Sequence, residues 1–427
     1  MLLYLLYWLL TPILWILLLP ACLINTKIRH PWLIENSSWK SAEKIIKKDN
    51  SKKTVVLFHA ASTGEFEQLH PVLKKMDRNR FFILQSFFSP TVYKYEKNTK
   101  LADAVCYHPF DFFWSAWFFF RRMNIQYYIT TRNDIWPTHL YFARLMGIHT
   151  ALINANLYRE SHYRSYFLRN FHQNVLRHYD LILTGSDRLK KNLKYLVPET
   201  KIHITGDSRF DRVIERKKSA VDELLPNSYE KSKTTILGSI ESTDYPILFS
   251  GLKKYYSNGQ DDLAKKNHRL IIVPHEIDVQ NLQKIYNNLI GLGFDVVYYS
   301  EKEKLQASRV VIIDVVGILA DLYRYADLAY VGSGFHNSGI HSVLEPAVYN
   351  NAISFGPKYH IVDMAVSLAD LRLAIVIHSG DDFSLFLNLF DNNEKLDQIH
   401  KNMKNYISKQ KLASEKIIST IFTDDET

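Results

Sequence analysis

Glu65 stands in the run LFHAASTGEFEQLHP, directly after a glycine and a string of small side chains that follow the apolar residues VVLF. A carboxylate placed where a strand turns into a helix can take a proton from a hydroxyl, which makes Glu65 a candidate general base. The same position suits an acidic side chain that only complements the helix macrodipole, worth about 0.3–1 kcal/mol. On the local residues the two roles weigh equally. The helix N-terminus is expected to draw the Glu65 pKa downward and keep the group ionised.

A second chemistry-bearing stretch lies far along the chain. The 427 residues include only 15 glycines, yet Gly332, Gly334, Gly339 and Gly356 fall within AYVGSGFHNSGIHSVLEPAVYNNAISFGP. Gly332 and Gly334 end an apolar run and permit close backbone approach to a ligand. Gly339 precedes IHSVLEPAVY, whose helix start would offer backbone N–H groups to a phosphate. Glu345, about a turn into that helix, is placed to accept hydrogen bonds from ribose hydroxyls. A packing turn with a capped helix is the competing reading, and the glycine clustering together with Glu345 favours nucleotide binding. Two further loops are expected to converge there: VPHE, with His275 and Glu276, and VVGILADLYRYADLAY, where Gly317 offers backbone contacts to a base. His275 alone is a weak signal. No Asp-x-Asp pair, His/Asp cluster or G-x-S-x-G elbow stands out, so the expected chemistry is acid–base and electrostatic, with no metal and no cofactor.

These side chains need a scaffold that presents loops at strand ends. TVVLFHA, RFFILQSF, ADAVCYHP, YYITTR, HTALINAN, LILTGSD and KIHITGD are short β-rich runs separated by amphipathic stretches. The alternation predicts parallel strands linked by helices, a doubly wound α/β domain over 54–215. TTILGSI, RLIIVPHE, DVVYYS, RVVIIDV, LAYVGSG and NAISFGP repeat the pattern over 234–395. The polar stretch 216–233 separates the two, and 396–427 reads as a charged amphipathic helical tail. Two such Rossmann-like domains facing a central cleft resemble the GT-B glycosyltransferase fold, although fold alone assigns no reaction.

The first 24 residues, MLLYLLYWLLTPILWILLLPACLI, carry no charge and suffice in length to cross a hydrocarbon core of roughly 30 Å. They predict an uncleaved transmembrane helix, with residues 25–53 as a basic juxtamembrane linker. From Lys27 to Lys53 eight Lys/Arg stand against three Asp/Glu, a net +5 of the chain's formal +9. The positive-inside rule then puts the remainder in the cytoplasm, with the basic cluster against anionic membrane lipids. Concentration of charge beside the apolar segment argues against nucleic-acid binding. Cys22 and Cys106 are too few for a disulfide framework or a cysteine zinc site. The aromatic stretch FDFFWSAWFFFRR (110–122) reads as a core helix, with the bilayer as a lesser alternative for some of its rings.

In order and spacing, HAASTGE, NDIWP, NANL, TGDSRFD, VPHE and GIHSVLEPA with FGP resemble the Kdo transferases. These inner-membrane enzymes of lipopolysaccharide biosynthesis move 3-deoxy-D-manno-octulosonic acid (Kdo) from CMP-Kdo to a lipid A precursor. The resemblance implies Glu65 as catalytic base and CMP contacts from Pro274, His275, Gly317, Ile318, Leu319 and the run Ser342, Val343, Leu344, Glu345. It implies for Arg209, in place of a usual lysine, a charge beside the site that steadies phosphate or sugar carboxylate. Two motifs depart from the pattern: Ser342 replaces an Asn, and before Ile-Trp-Pro Arg132 replaces the first of two acidic residues, with Asp134 in place of the second. A GT-B enzyme with another donor or acceptor, or a non-catalytic lipid- or glycan-binding relic, is the alternative.

Overall fold

The structure, a computed structural model, describes residues 2–49, 52–157, 165–219 and 223–422. Residues 50–51 of the expected linker, 220–222 of the expected interdomain stretch and 423–427 of the tail lie outside these. The chain forms two compact units, Met1–Arg212 with Leu412–Thr427, and Val213–Lys411.

Unit 1 is built on strands β1 (Thr54–Ala60), β2 (Phe81–Phe87), β3 (Ala104–Tyr107), β4 (Tyr127–Thr131), β5 (His149–Ala155), β6 (Leu181–Thr184) and β7 (Ile202–Ile204). All pair in parallel, in the order β3-β2-β1-β4-β5-β6-β7. The strands are buried along nearly their whole length, as helices on both faces require, and so read as continuous apolar runs. Four of the helices around this sheet are α3 (Thr63–Lys75), α4 (Pro90–Glu96), α5 (Phe113–Met123) and α6 (Pro137–Leu145), preceded by α1 (Leu2–Ile24) and α2 (Thr26–Lys48).

Unit 2 repeats the plan with β8 (Lys233–Ile240), β9 (His268–Pro274), β10 (Val296–Tyr298), β11 (Val310–Ile312), β12 (Leu328–Val331), β13 (Ala352–Phe355) and β14 (Ala374–Val376). Its order is β10-β11-β9-β8-β12-β13-β14, again all parallel. Each sheet therefore has its topological switch beside its first strand, between β1 and β4 in one unit and between β8 and β12 in the other. Ligands of open α/β sheets bind at such points.

The N-terminal segment departs from expectation. Among the described residues no helix is long and apolar enough to cross a membrane, so the spanning anchor is not supported. α1 instead docks on unit 1 through polar groups that a lipid-surrounded helix would leave unpaired. The Tyr7 hydroxyl donates to Asp111 Oδ2 at 2.8 Å, and Trp8 Nε1 donates to Thr138 Oγ1 at 3.3 Å. The Trp8 ring meets Tyr141 edge-on, and Thr11 is buried. The linker likewise is a packed helix, α2, against the β3 edge: Trp39 Nε1 donates to the Tyr107 carbonyl and Tyr107 N donates to Ser38 Oγ.

The tail also departs from expectation. Asn393–Ser408 lies in unit 2, whereas Ala413–Ile421 returns to unit 1. There the buried Asp211 carboxylate accepts from Ala413 N at 2.8 Å and Ser414 N at 2.7 Å, fixing the start of the last helix. The aromatic helix α5 buries Ala116, Phe119, Phe120 and Met123, and leaves Phe113 and Phe118 exposed.

Candidate functional site

In unit 1 the first turn of α3, directly after β1, carries Glu65 and the loop after β4 carries Asp134, on the two sides of the switch point. Ser62 caps α3, accepting from Glu65 N, while Glu65 Oε2 accepts from Ala61 N at 2.7 Å and Ser62 N at 3.2 Å. Glu65 thus fills the helix-start role of a capping box. Its pKa, however, moves opposite to the downward expectation. Burial and then the negative charge of Asp134 push it above the usual carboxylate value, against the pull of the Ala61 and Ser62 N–H groups and of His59. A carboxylate half-buried beside another acid outweighs the helix terminus, and a raised pKa makes a stronger base. The space where a Gly64 side chain would project is open.

Behind Glu65 lies a buried network that sequence reasoning missed. His59, at the β1 end, meets Asp134 Oδ2 through Nε2 at 2.7 Å and Ser86 Oγ through Nδ1 at 2.9 Å. Its ring stacks on His108 at 3.7 Å, and Trp136 of NDIWP closes the edge. Burial, then the neighbouring histidines His59 and His139, holds the His108 pKa well below its ordinary value. Of the two residues at the motif's acidic positions, Asp134 joins this network. Arg132 adopts a left-handed backbone (φ 60°) and its charge acts on Asp207.

Arg209 stands at the start of the helix Ser208–Lys218, with Nε and Nη2 donating to Asp207 Oδ2 at 3.0 and 2.8 Å. Burial works against the charge on Asp207, yet Arg209 and the charge of Arg132 hold its carboxyl below the usual range. The two cations therefore surround one acid, which offsets part of the charge Arg209 presents. Asn154 of NANL donates to Ser208 Oγ at 2.8 Å, and Ser208 Oγ donates to the Gln68 carbonyl, locking this loop onto α3.

In unit 2 the predicted residues gather at the ends of β9, β11 and β12. Pro274 ends β9, and His275 N donates to the Ile240 carbonyl at 3.0 Å. Gly317 takes φ 90°, and its carbonyl accepts from Arg216 Nη2 at 2.6 Å. Ile318 and Leu319 open the short helix Leu319–Leu322. Glu345 has its pKa raised by burial, against the pull of Arg216 and with a push from Asp321.

The glycine-rich stretch serves differently from expectation. A Cβ on Gly334 would lie 2.3 Å from Gly356 N, and one on Gly332 2.1 Å from the Ser239 carbonyl oxygen. These glycines let chain approach chain. The helix after Ser342 and Val343 is only five residues, Leu344–Val348, too short for a strong macrodipole. The structure also brings Glu241, His275 and His341 together, a His/Glu cluster that the sequence reading did not find because its members come from three separated loops.

Two parallel doubly wound units of this kind define a GT-B-like fold. A putative UDP-N-acetylglucosamine 2-epimerase from Listeria monocytogenes is similar in fold, with a TM-score of 0.63 at 11% identity over 87% of this chain and 96% of that one. Sequence separates the possibilities further. Residues 37–212 match the family model for 3-deoxy-D-manno-octulosonic-acid transferase. The 3-deoxy-D-manno-octulosonic acid transferase of Chlamydia muridarum is 27% identical over 84% of this chain and 81% of its own, and that of Aquifex aeolicus is 26% identical over 73% and 78%. Over most of its length the chain is similar in sequence to Kdo transferases, on a GT-B-like fold.

Proposed function

We propose that the chain transfers Kdo from CMP-Kdo to a hydroxyl of a lipid A precursor in lipopolysaccharide biosynthesis, with Glu65 as general base. The observation that carries this is sequence similarity to Kdo transferases across most of the chain. The raised pKa of Glu65 at the switch point supports its role. Glu65 takes the acceptor proton, the freed oxygen bonds to the anomeric carbon of Kdo, and the bond from that carbon to the CMP phosphate oxygen breaks. CMP leaves with the electron pair, a monophosphate ester that needs less charge neutralisation than a diphosphate.

In this reading Pro274, His275, Gly317, Ile318, Leu319 and Ser342–Glu345 hold CMP, with Glu345 accepting from ribose hydroxyls. Arg209 steadies the donor phosphate or the Kdo carboxylate. The enzyme works at the cytoplasmic face of the inner membrane, where the outward apolar side chains of α1 and the basic residues of 27–53 meet lipid. Mass spectrometry of a lipid A precursor incubated with CMP-Kdo tests the reaction: Kdo addition is expected, and an unchanged acceptor refutes it. Thermal stabilisation by CMP and by UDP separates this donor from that of a UDP-sugar enzyme, since a shift with UDP alone overturns CMP.

A further inference from the structure

The geometry points to a divalent transition-metal site in unit 2, built from Glu241, His275 and His341. One ligand atom of each lies within 4.8 Å of the other two. Around a single ion held at about 2.0–2.2 Å, tetrahedral or octahedral ligands sit roughly 3–4 Å apart, so a small inward adjustment completes the set. The His275 and His341 rings stand 4.4 Å apart, and Glu241 Oε1 is 3.6 Å from His341 Nε2, too long for a hydrogen bond. His341 Nε2 is buried with no hydrogen-bond partner, the condition of a donor atom facing a space meant for something else.

The three ligands come from the ends of adjacent strands at the topological switch point. Glu241 follows β8, His275 follows β9 and His341 lies in the loop after β12. Buried Asp244 ties the first and third of these loops, accepting from Glu241 N at 2.9 Å, Ser333 N at 2.8 Å and the Tyr330 hydroxyl at 2.9 Å, and His275 N donates to the Ile240 carbonyl at 3.0 Å. Such rigid support is what a preorganised metal site needs. Two imidazoles and one carboxylate suit Zn²⁺, Co²⁺ or Ni²⁺ and disfavour Mg²⁺ and Ca²⁺. Three protein ligands leave positions open to an oxygen of the donor phosphate or sugar acid, a second step that rests on the donor reading above.

Co²⁺ is the probe, added to the full chain after chelation and dialysis. One tightly retained equivalent with visible d–d absorption is expected. His341→Ala and Glu241→Gln are each expected to weaken retention at least tenfold while melting near the parent temperature. A chain that retains no Co²⁺, or whose retention and spectrum persist in a folded His275→Ala/His341→Ala variant, overturns the site. Should both variants unfold, protection of His341 from diethylpyrocarbonate by Co²⁺ in the parent chain decides, and unprotected modification counts against the site. CMP-induced thermal shifts of metal-free and Co²⁺-loaded protein separate the two steps. Equal shifts remove the cation from the donor phosphate while leaving the CMP reading intact, and no shift in either form counts against the CMP reading alone.

Discussion

Glu65 is at once a helix cap and a candidate base, and the two roles are compatible because its carboxylate has a second oxygen. Oε2 receives the Ala61 and Ser62 N–H groups, so the side chain is held in place for Oε1 to meet a proton. Ionised base is the active form. A pKa raised above the usual glutamate value therefore moves the acid limb of kcat/KM to higher pH. Asp134→Asn removes the negative charge that contributes to this rise, and its acid limb is expected at lower pH than the parent's. A limb that stays put or climbs, in a pH–rate profile, would separate Asp134 from Glu65. Gly64→Ala probes the open space beside the base. Its backbone is helical and nothing beyond its chain neighbours and its own helix lies within 4 Å of the added methyl, so stability should hold or rise by up to about 1 kcal/mol. The KM for acceptor should rise at least several-fold if the sugar ring occupies that space. Unchanged kinetics would place the acceptor elsewhere.

At the scale of elements, the last helix is secured by one side chain. Asp211 accepts from two N–H groups at the start of Ala413–Ile421, whose Ile417 and Ile421 are buried with Val72 and Phe81 against α3 and β2. Asp211→Ala leaves both donors buried and unpaired, so a loss of about 1–3 kcal/mol is expected in urea unfolding. A loss below about 0.5 kcal/mol would mean that packing alone seats the helix. This return of the chain shows where sequence reading reaches its limit. Thirteen of the fourteen strands are legible as apolar runs, because parallel strands covered on both faces must be apolar throughout. β14 (Ala374–Val376), inside the short apolar run LAIVI, is the one strand missing from that reading. Amphipathic periodicity announces a helical tail over 396–427, but nothing in it says which unit each piece joins, since that depends on Asp211, far away in sequence. The same distance hid the metal-type cluster, and it hid the His59–Asp134 pair, whose members are joined only when β1 and β4 become neighbours. Glu65 itself was visible because strand, small residues and helix start are contiguous.

Across the whole molecule, the proposed membrane contact rests on α1. Tyr7, Trp8 and Thr11 hold it on unit 1, while Leu6, Leu9, Ile13, Ile16 and Leu17 point outward, Leu9 at 73% exposure. A helix with a docked polar stripe and an outward apolar face suits lying in a lipid interface. Leu9→Glu/Ile13→Glu should lose co-flotation with vesicles containing anionic lipid and retain the parent's melting temperature. Undiminished flotation would remove α1 from the membrane contact. The central claim, Kdo transfer with Glu65 as base, is tested most directly by the mass of a lipid A precursor after incubation with CMP-Kdo and either parent or Glu65→Gln. The parent is expected to add Kdo, and Glu65→Gln, which keeps an acceptor for the Ala61 and Ser62 N–H groups, should be slower by about 10²–10⁴. Product formed equally fast by both, or by neither, would contradict the account.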